Sequence, residues 1–279
     1  MKKCFLTIDV DMRTYEKDEL VPADEFDLYF QFFKKFLFEN GRVKSTWFIR
    51  IDLGIEREFG KKDYIFDKHK SKIEWLKSNG HNVGWHFHPY EVRAPFCREM
   101  LLSEMEASFE YVEKWGLDPI FRMGGCFGFN ETMEFLENKK IKIDSSALPR
   151  PIYPWMSKEL DWTITGKEPY HPSKIDYRIS KEENYNMLEV PMTTSEISIE
   201  TDDFPNILRY INPAYKSIIF SDVLGRLDGD IVVITHPYEI LSHAKNKKEL
   251  FSYDVTEFTK NMELLMSKYE MRSLDDFYK

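Results

Sequence analysis

Long hydrophobic runs are missing from this chain. No stretch approaches the roughly 20 apolar residues that a bilayer-spanning helix needs, so the sequence contains no such span. The amino-terminal segment Met1-Lys2-Lys3-Cys4-Phe5-Leu6-Thr7-Ile8 meets Asp9 before it can become the apolar core of a secretion signal, and the reading is cytoplasmic. Cysteine is scarce: Cys4, Cys97 and Cys126 stand far apart, which excludes a disulfide framework and a paired-cysteine metal site. Positive charge is also short, with 39 Lys and Arg against 48 Asp and Glu and a net charge of −9. Without a basic run, a surface that tracks nucleic-acid phosphates is excluded. Repeats and low-complexity linkers are absent too, which favours one domain over residues 1–279.

The chain does have an ordinary globular balance, 42% hydrophobic and 31% charged over 279 residues, enough to bury one large core. Aromatic residues reach 15%, and Trp and Tyr in excess around a cleft suit stacking on sugar rings. Short apolar or β-branched runs alternate with helical ones. Strands are expected at 4–11, 43–49, 81–88, 119–122, 141–144, 187–191 and 230–235. Between them fall helical patterns at 24–40, stopped by Gly41, and at 70–78, 98–115 and 131–138, with further helices between the last two strands and near the C-terminus. Five prolines between Pro149 and Glu183 mark a loop-like segment, whose Trp155, Trp162, Tyr170 and Tyr177 are candidates for a substrate rim or for packing under a long loop. Repeated β–α units predict the α/β class: a single-domain distorted (β/α) barrel of about seven parallel strands.

In such folds the chemistry sits where the strands end. Nearly every expected strand here ends in a residue suited to it: Asp9 and Asp11, His86 and His88, Arg122, Asp144 and His236. Both pairs have i, i+2 spacing, so on a strand each pair shares one face. One carboxylate with two imidazoles makes a three-ligand set that leaves positions open on a catalytic divalent metal, and the second carboxylate is then free to act as a base. Arg122 is suited to pair with a carboxylate and hold it ionised. Gly124 and Gly125 would let backbone amides approach a ligand, or simply make a tight turn. His236 is a candidate general acid.

The set resembles the polysaccharide deacetylases, the NodB-homology carbohydrate esterases of family four. The likeness is carried by Thr7-Ile8-Asp9-Val10-Asp11, Ser45-Thr46-Trp47-Phe48, Gly80-His81-Asn82-Val83-Gly84-Trp85-His86, Phe121-Arg122-Met123-Gly124-Gly125 and Ile231-Val232-Val233-Ile234-Thr235-His236, in family order across residues 4–240. The resemblance implies a divalent metal, usually zinc, on Asp11, His86 and His88. It implies Asp9 as base, Arg122 orienting Asp9, and His236 protonating a leaving amine. It further implies Asp144 pairing with His236, and a backbone oxyanion donor at Gly125 or Cys126.

This chain departs from the family in three places. Val10 separates the two acids, which leaves the base and ligand roles of Asp9 and Asp11 exchangeable. The second histidine stands two residues after His86 where the family places it four after, the position Tyr90 holds here. The prolines after the arginine are replaced by Met123-Gly124. The expected substrate is an acylated amino sugar or polysaccharide precursor, with an isologous homodimer as a general prior. Two rivals remain open: a saccharide-binding barrel without catalysis, and an amidohydrolase-type or PHP-type metal hydrolase. The second would need further ligands, and His69, His171 and His243 lie in helical or loop-like context.

Overall fold

The computed structural model describes residues 1–11, 14–15, 19–20, 25–38, 43–89, 97–151, 160–198, 206–240 and 249–279. Gly41, Tyr90, Trp155 and His243 lie outside them. The principal strands are β1 (Lys2–Val10), β2 (Thr46–Arg50), β3 (Asn82–Phe87), β4 (Ile120–Met123), β5 (Ile143–Asp144), β6 (Leu188–Glu189), β7 (Ile231–Thr235) and β8 (Tyr269–Arg272). The helices are α1 (Glu25–Phe33), α2 (Leu53–Phe59), α3 (Tyr64–Lys68), α4 (Lys70–Ser78), α5 (Arg98–Lys114), α6 (Asn130–Asn138), α7 (Ser217–Arg226) and α8 (Val255–Lys268). The class is α/β, and the seven expected parallel strands are β1 to β7. The chain divides into two compact units, residues 1–47 with 193–273 and residues 48–192 with 274–279, and β2 runs through their boundary.

In the first unit the order is β7-β1-β2, with β8 also on β1. The β1–β7 pairing is parallel, from Cys4 opposite Ile231 to Ile8 opposite Thr235. Both strands are near-continuous apolar runs, as strands covered on both faces must be. Phe26, Phe33, Phe38, Trp47 and Phe258 make an edge-to-face aromatic cluster on this unit's core. After β6 the expected helices are preceded by an antiparallel pair, Thr194–Ser198 with Asn206–Tyr210, and only then comes α7. The run Thr193-Thr194-Ser195-Glu196-Ile197-Ser198 is β-branched and alternating, the strand signature, and that local signal prevails.

In the second unit the order is β2-β3-β4-β5-β6. His86 stands opposite Arg122, Phe121 opposite Asp144, and Asp144 opposite Glu189. This register lines up the strand-end polar residues side by side. Beneath them Trp85, Phe87, Phe109 and Phe121 pack edge to face.

Candidate active site

The first unit contributes an acid–base pair. Asp9 and Asp11 close β1 and are both buried, at 5% and 1% exposure. His236 follows β7, one residue past the Ile8–Thr235 pairing, and its Nε2 lies 3.9 Å from Asp9 Oδ2. Its Nδ1 lies 3.0 Å from Oε1 of Glu239 on the following 3-10 turn. Glu239 is itself buried and accepts hydrogen bonds from the His236 backbone N–H (2.8 Å), Asn212 Nδ2 (2.6 Å) and the Tyr210 hydroxyl (3.2 Å). Burial opposes a charged imidazole, but the Glu239 carboxylate outweighs it. With Asp11 and Asp9 adding to that attraction, the His236 pKa is pushed up to about 9. The imidazole is therefore held as an imidazolium, able to donate. Asp144 is the partner that the resemblance implies for His236; within the first unit the carboxylate against the His236 ring is Glu239. Its signal was the three-residue spacing His236-Pro237-Tyr238-Glu239.

The second unit contributes the two imidazoles. His86 and His88 bring their Nε2 atoms to 3.0 Å, rings nearly perpendicular. His86 Nδ1–H donates to the Arg122 carbonyl at 2.9 Å, which leaves Nε2 with its lone pair. The His88 backbone N–H donates to Asp52 Oδ2 at 3.1 Å. Burial works against the Asp52 charge, but the bidentate Arg50 guanidinium (2.7 and 2.9 Å), His88 and the Ile55 N–H hold its carboxyl below the usual range. Arg50-Ile51-Asp52 repeats the i, i+2 spacing at the end of β2, the signal by which Asp52 was legible and went unused. Gly124 faces His88 so closely that a Cβ there would lie 2.3 Å from ring Cδ2 and 2.4 Å from Nε2.

Arg122 is buried with its guanidinium 4.3 Å above the Phe48 ring, and it donates to the Ser145 carbonyl and hydroxyl, both at 2.8 Å. Ser146 Oγ accepts from the Met123 N–H and donates to Asp144. Asp144 and Glu189, neighbours across β5 and β6, are fully buried. Desolvation raises both, Asp144 to about 6, while Ser146, Glu189 and Arg122 pull Asp144 back and Asp144's own charge lifts Glu189 further. The pair behaves as two carboxyls with one charge to share. Gly124–Cys126 form a 3-10 turn, with Gly125 at φ 70° and Cys126 at φ 61°. Trp162 donates to the Cys126 carbonyl at 2.8 Å and is completely buried, so it packs beneath the loop and forms no rim. His171 donates to the Met187 carbonyl (2.9 Å).

No protein-family model matches the chain, and neither does any curated protein. Solved structures do match. A Mycobacterium smegmatis protein assigned as a polysaccharide deacetylase shares 13% identity and a TM-score of 0.57, over 99% of this chain and 89% of that one. The peptidoglycan N-acetylglucosamine deacetylase Bc1960 shares 12% identity and a TM-score of 0.49 over 98% and 86%. The 4-alpha-glucanotransferase of Thermococcus litoralis shares 14% identity and a TM-score of 0.51, over 99% of this chain and 38% of that one. The fold is that of the polysaccharide deacetylases. Because a transferase matches similarly, the chemistry has to be argued from the site.

Proposed function

We propose that the chain is one catalytic domain, residues 1–279, that removes an acyl group, acetyl first among candidates, from the nitrogen of an amino sugar or polysaccharide precursor in the cytoplasm. The observation that carries this reading is the meeting of His86 and His88 Nε2 at 3.0 Å, with the tautomer of His86 fixed by the Arg122 carbonyl and the place of His88 kept open by Gly124. Two lone pairs aimed at one point, with the Asp11 carboxylate as third donor, fit a divalent metal, zinc first. Such an ion supplies Lewis acidity, lowering the pKa of water and polarising the acyl carbonyl.

The remaining work belongs to the chain. Asp9 takes a proton from the attacking water as the amide carbon becomes tetrahedral. Arg122 has the role of orienting Asp9 that the resemblance implies. Backbone N–H groups of Gly125 or Cys126 face the developing oxyanion. His236 Nε2–H gives its proton to the amide nitrogen, the C–N bond breaks, and a carboxylic acid and a free amine leave. Glu239, its Oε1 3.0 Å from Nδ1, keeps His236 protonated at neutral pH.

Purified protein loaded with zinc tests this. Acetate or formate is expected from at least one acylated amino-sugar precursor, and Asp9→Asn is expected to lower turnover by at least about 100-fold while metal content stays near one equivalent. Loss of metal in Asp9→Asn would exchange the roles of Asp9 and Asp11. No acyl release from any precursor by metal-loaded protein would overturn the reading in favour of a saccharide-binding barrel.

A further inference from the structure

The proposed chemistry leaves one buried pair of titratable groups in the second unit unused. Asp144 and Glu189 stand opposite each other on β5 and β6, at 1% and 0% exposure. Each gives one oxygen to the bend that follows β5. Asp144 Oδ1 accepts from the Ser146 hydroxyl, and Glu189 Oε1 accepts from the Ala147 N–H at 2.8 Å. The other two oxygens, Asp144 Oδ2 and Glu189 Oε2, are buried and have no donor among the described residues, although the two carboxyls interact directly. Ionised carboxylates only accept, so a hydrogen bond between these two requires a proton of their own.

The charges around the pair suit a single proton. Arg122 is the cation that acts on both carboxyls. Tyr170 faces them as a neutral phenol, its ionisation pushed up by burial and by the Glu189 and Asp144 charges, with its hydroxyl donating to the Tyr177 carbonyl at 3.0 Å. One guanidinium balances one carboxylate here, and a second ionised carboxylate would add a buried charge without a partner.

The bend at 145–147 in turn holds the end of β4. Ser145 accepts from the Arg122 guanidinium through its carbonyl and its hydroxyl, and that hydroxyl donates to the Val190 carbonyl, next to Glu189, at 2.8 Å. Ser146 Oγ accepts from the Met123 N–H at 2.8 Å, so Asp144 lies two hydrogen bonds from the Met123 backbone. Both imidazoles rest on this strand end. The Arg122 carbonyl takes the His86 Nδ1–H, and Gly124, next after Met123, leaves the room that the His88 ring fills.

We propose that Asp144 and Glu189 share one proton between Oδ2 and Oε2 and act together as the mount that positions His86 and His88 through the 145–147 bend. The pair is a positioning device, remote from the reacting atoms. Its consequence for zinc rests on the metal reading of the two histidines; the proton and the mount do not.

Two isosteric variants test the proton. Glu189→Gln and Asp144→Asn each keep the acceptor on the bend and put an amide N–H where the shared proton was. At about pH 8 the infrared spectrum of wild type is expected to carry a protonated-carboxyl carbonyl stretch that both variants lack, read as a wild-type-minus-variant difference so that other carboxyls cancel. Glu189→Ala tests the mount, since it removes both the proton partner and the Ala147 acceptor, which Glu189→Gln retains. In metal-free protein the His86 Nδ1–H resonance, identified by its loss in His86→Ala, is expected to exchange at least about tenfold faster in Glu189→Ala than in wild type or Glu189→Gln. Zinc affinity by chelator competition is expected to stay within about threefold of wild type in Glu189→Gln and to weaken at least about tenfold in Glu189→Ala.

Absence of the difference band overturns the shared proton, and the infrared test needs only the isosteric variants. Unchanged His86 exchange in Glu189→Ala, or a Glu189→Gln variant as impaired as Glu189→Ala, overturns the mount. Where Glu189→Ala does not fold, Ser146→Ala takes its place with the same expected losses, because it cuts the link from Asp144 to the Met123 N–H. A wild type that binds no zinc yet shows the band and the exchange pattern sinks the metal reading and leaves the pair standing.

Discussion

Position 124 carries no side chain because the His88 ring occupies the space where one would begin, 2.3 Å from an ideal Cβ. Such a distance lies far inside van der Waals contact, so an alanine there must displace the ring, the backbone or both. His86 is oriented independently, through Arg122, and Asp52 accepts from the backbone N–H of His88. Gly124→Ala is therefore expected to keep the fold and His86 while it turns His88 out of line. The expected result is a roughly 10–100-fold weaker zinc affinity by chelator competition, with little change in melting temperature of the metal-free protein. Zinc affinity within twofold of wild type would show that His88 is not a ligand. The same close approach explains why the sequence carries Met-Gly-Gly after the arginine: the residues after Arg122 accommodate an imidazole two positions beyond His86. The i, i+2 spacing of Asp9/Asp11 and His86/His88 was legible because strand geometry leaves little choice of face. Asp52 obeys the same rule but falls just past the apolar run that defined β2.

At the scale of elements, β1 to β7 were visible because each is an apolar run bounded by turn signals. β5 and β6 reduce to two residues each, and β8 was not visible: Tyr269-Glu270-Met271-Arg272 reads as the tail of a helix until β1 pairs with it. The pairing of Asp144 with Glu189 was illegible for a related reason. It depends on the β5–β6 register, which local sequence does not encode.

Helix α5 carries a different consequence. Its Glu104 is 8% exposed and accepts from the Leu53 N–H, at the first residue of α2, at 3.2 Å. Burial raises its pKa from the usual 4.5 to about 7; the Leu53 N–H opposes the rise and the nearby Asp52 charge adds to it. The fold thus favours the neutral acid. That contribution is fully present below about pH 4.5 and is lost as pH climbs through about 7, since the unfolded chain ionises first. Glu104→Gln keeps the acceptor and removes the charge. The variant is expected to exceed wild type by about 1 kcal/mol in urea unfolding at about pH 8, after allowance for solvent screening, and to match it near pH 4.5. A stability difference that does not change with pH would contradict this.

For the whole molecule, the class could be read from the alternation of β and α signals, and the proposed function rests on what stood at the strand ends. What composition could not supply were the partners that set those residues to work: Glu239 behind His236, Asp52 and Gly124 around His88. The proposed metal set is Asp11, His86 and His88. Metal that binds only the folded chain stabilises it by mass action, by roughly 2.7 kcal/mol at 100 times Kd. In a chain of this size that is a rise in melting temperature of about 5 °C, at roughly 2 °C per kcal/mol. Asp11→Ala and His86→Ala are each expected to abolish the rise, and a chelator to reverse it in wild type only. Scanning calorimetry of the three proteins with and without zinc separates the possibilities. A rise that persists in Asp11→Ala but vanishes in His86→Ala would remove Asp11 from the ligand set and pass its place to Asp9. A rise that persists in both would put the zinc elsewhere, and the imidazole pair would lose its assignment.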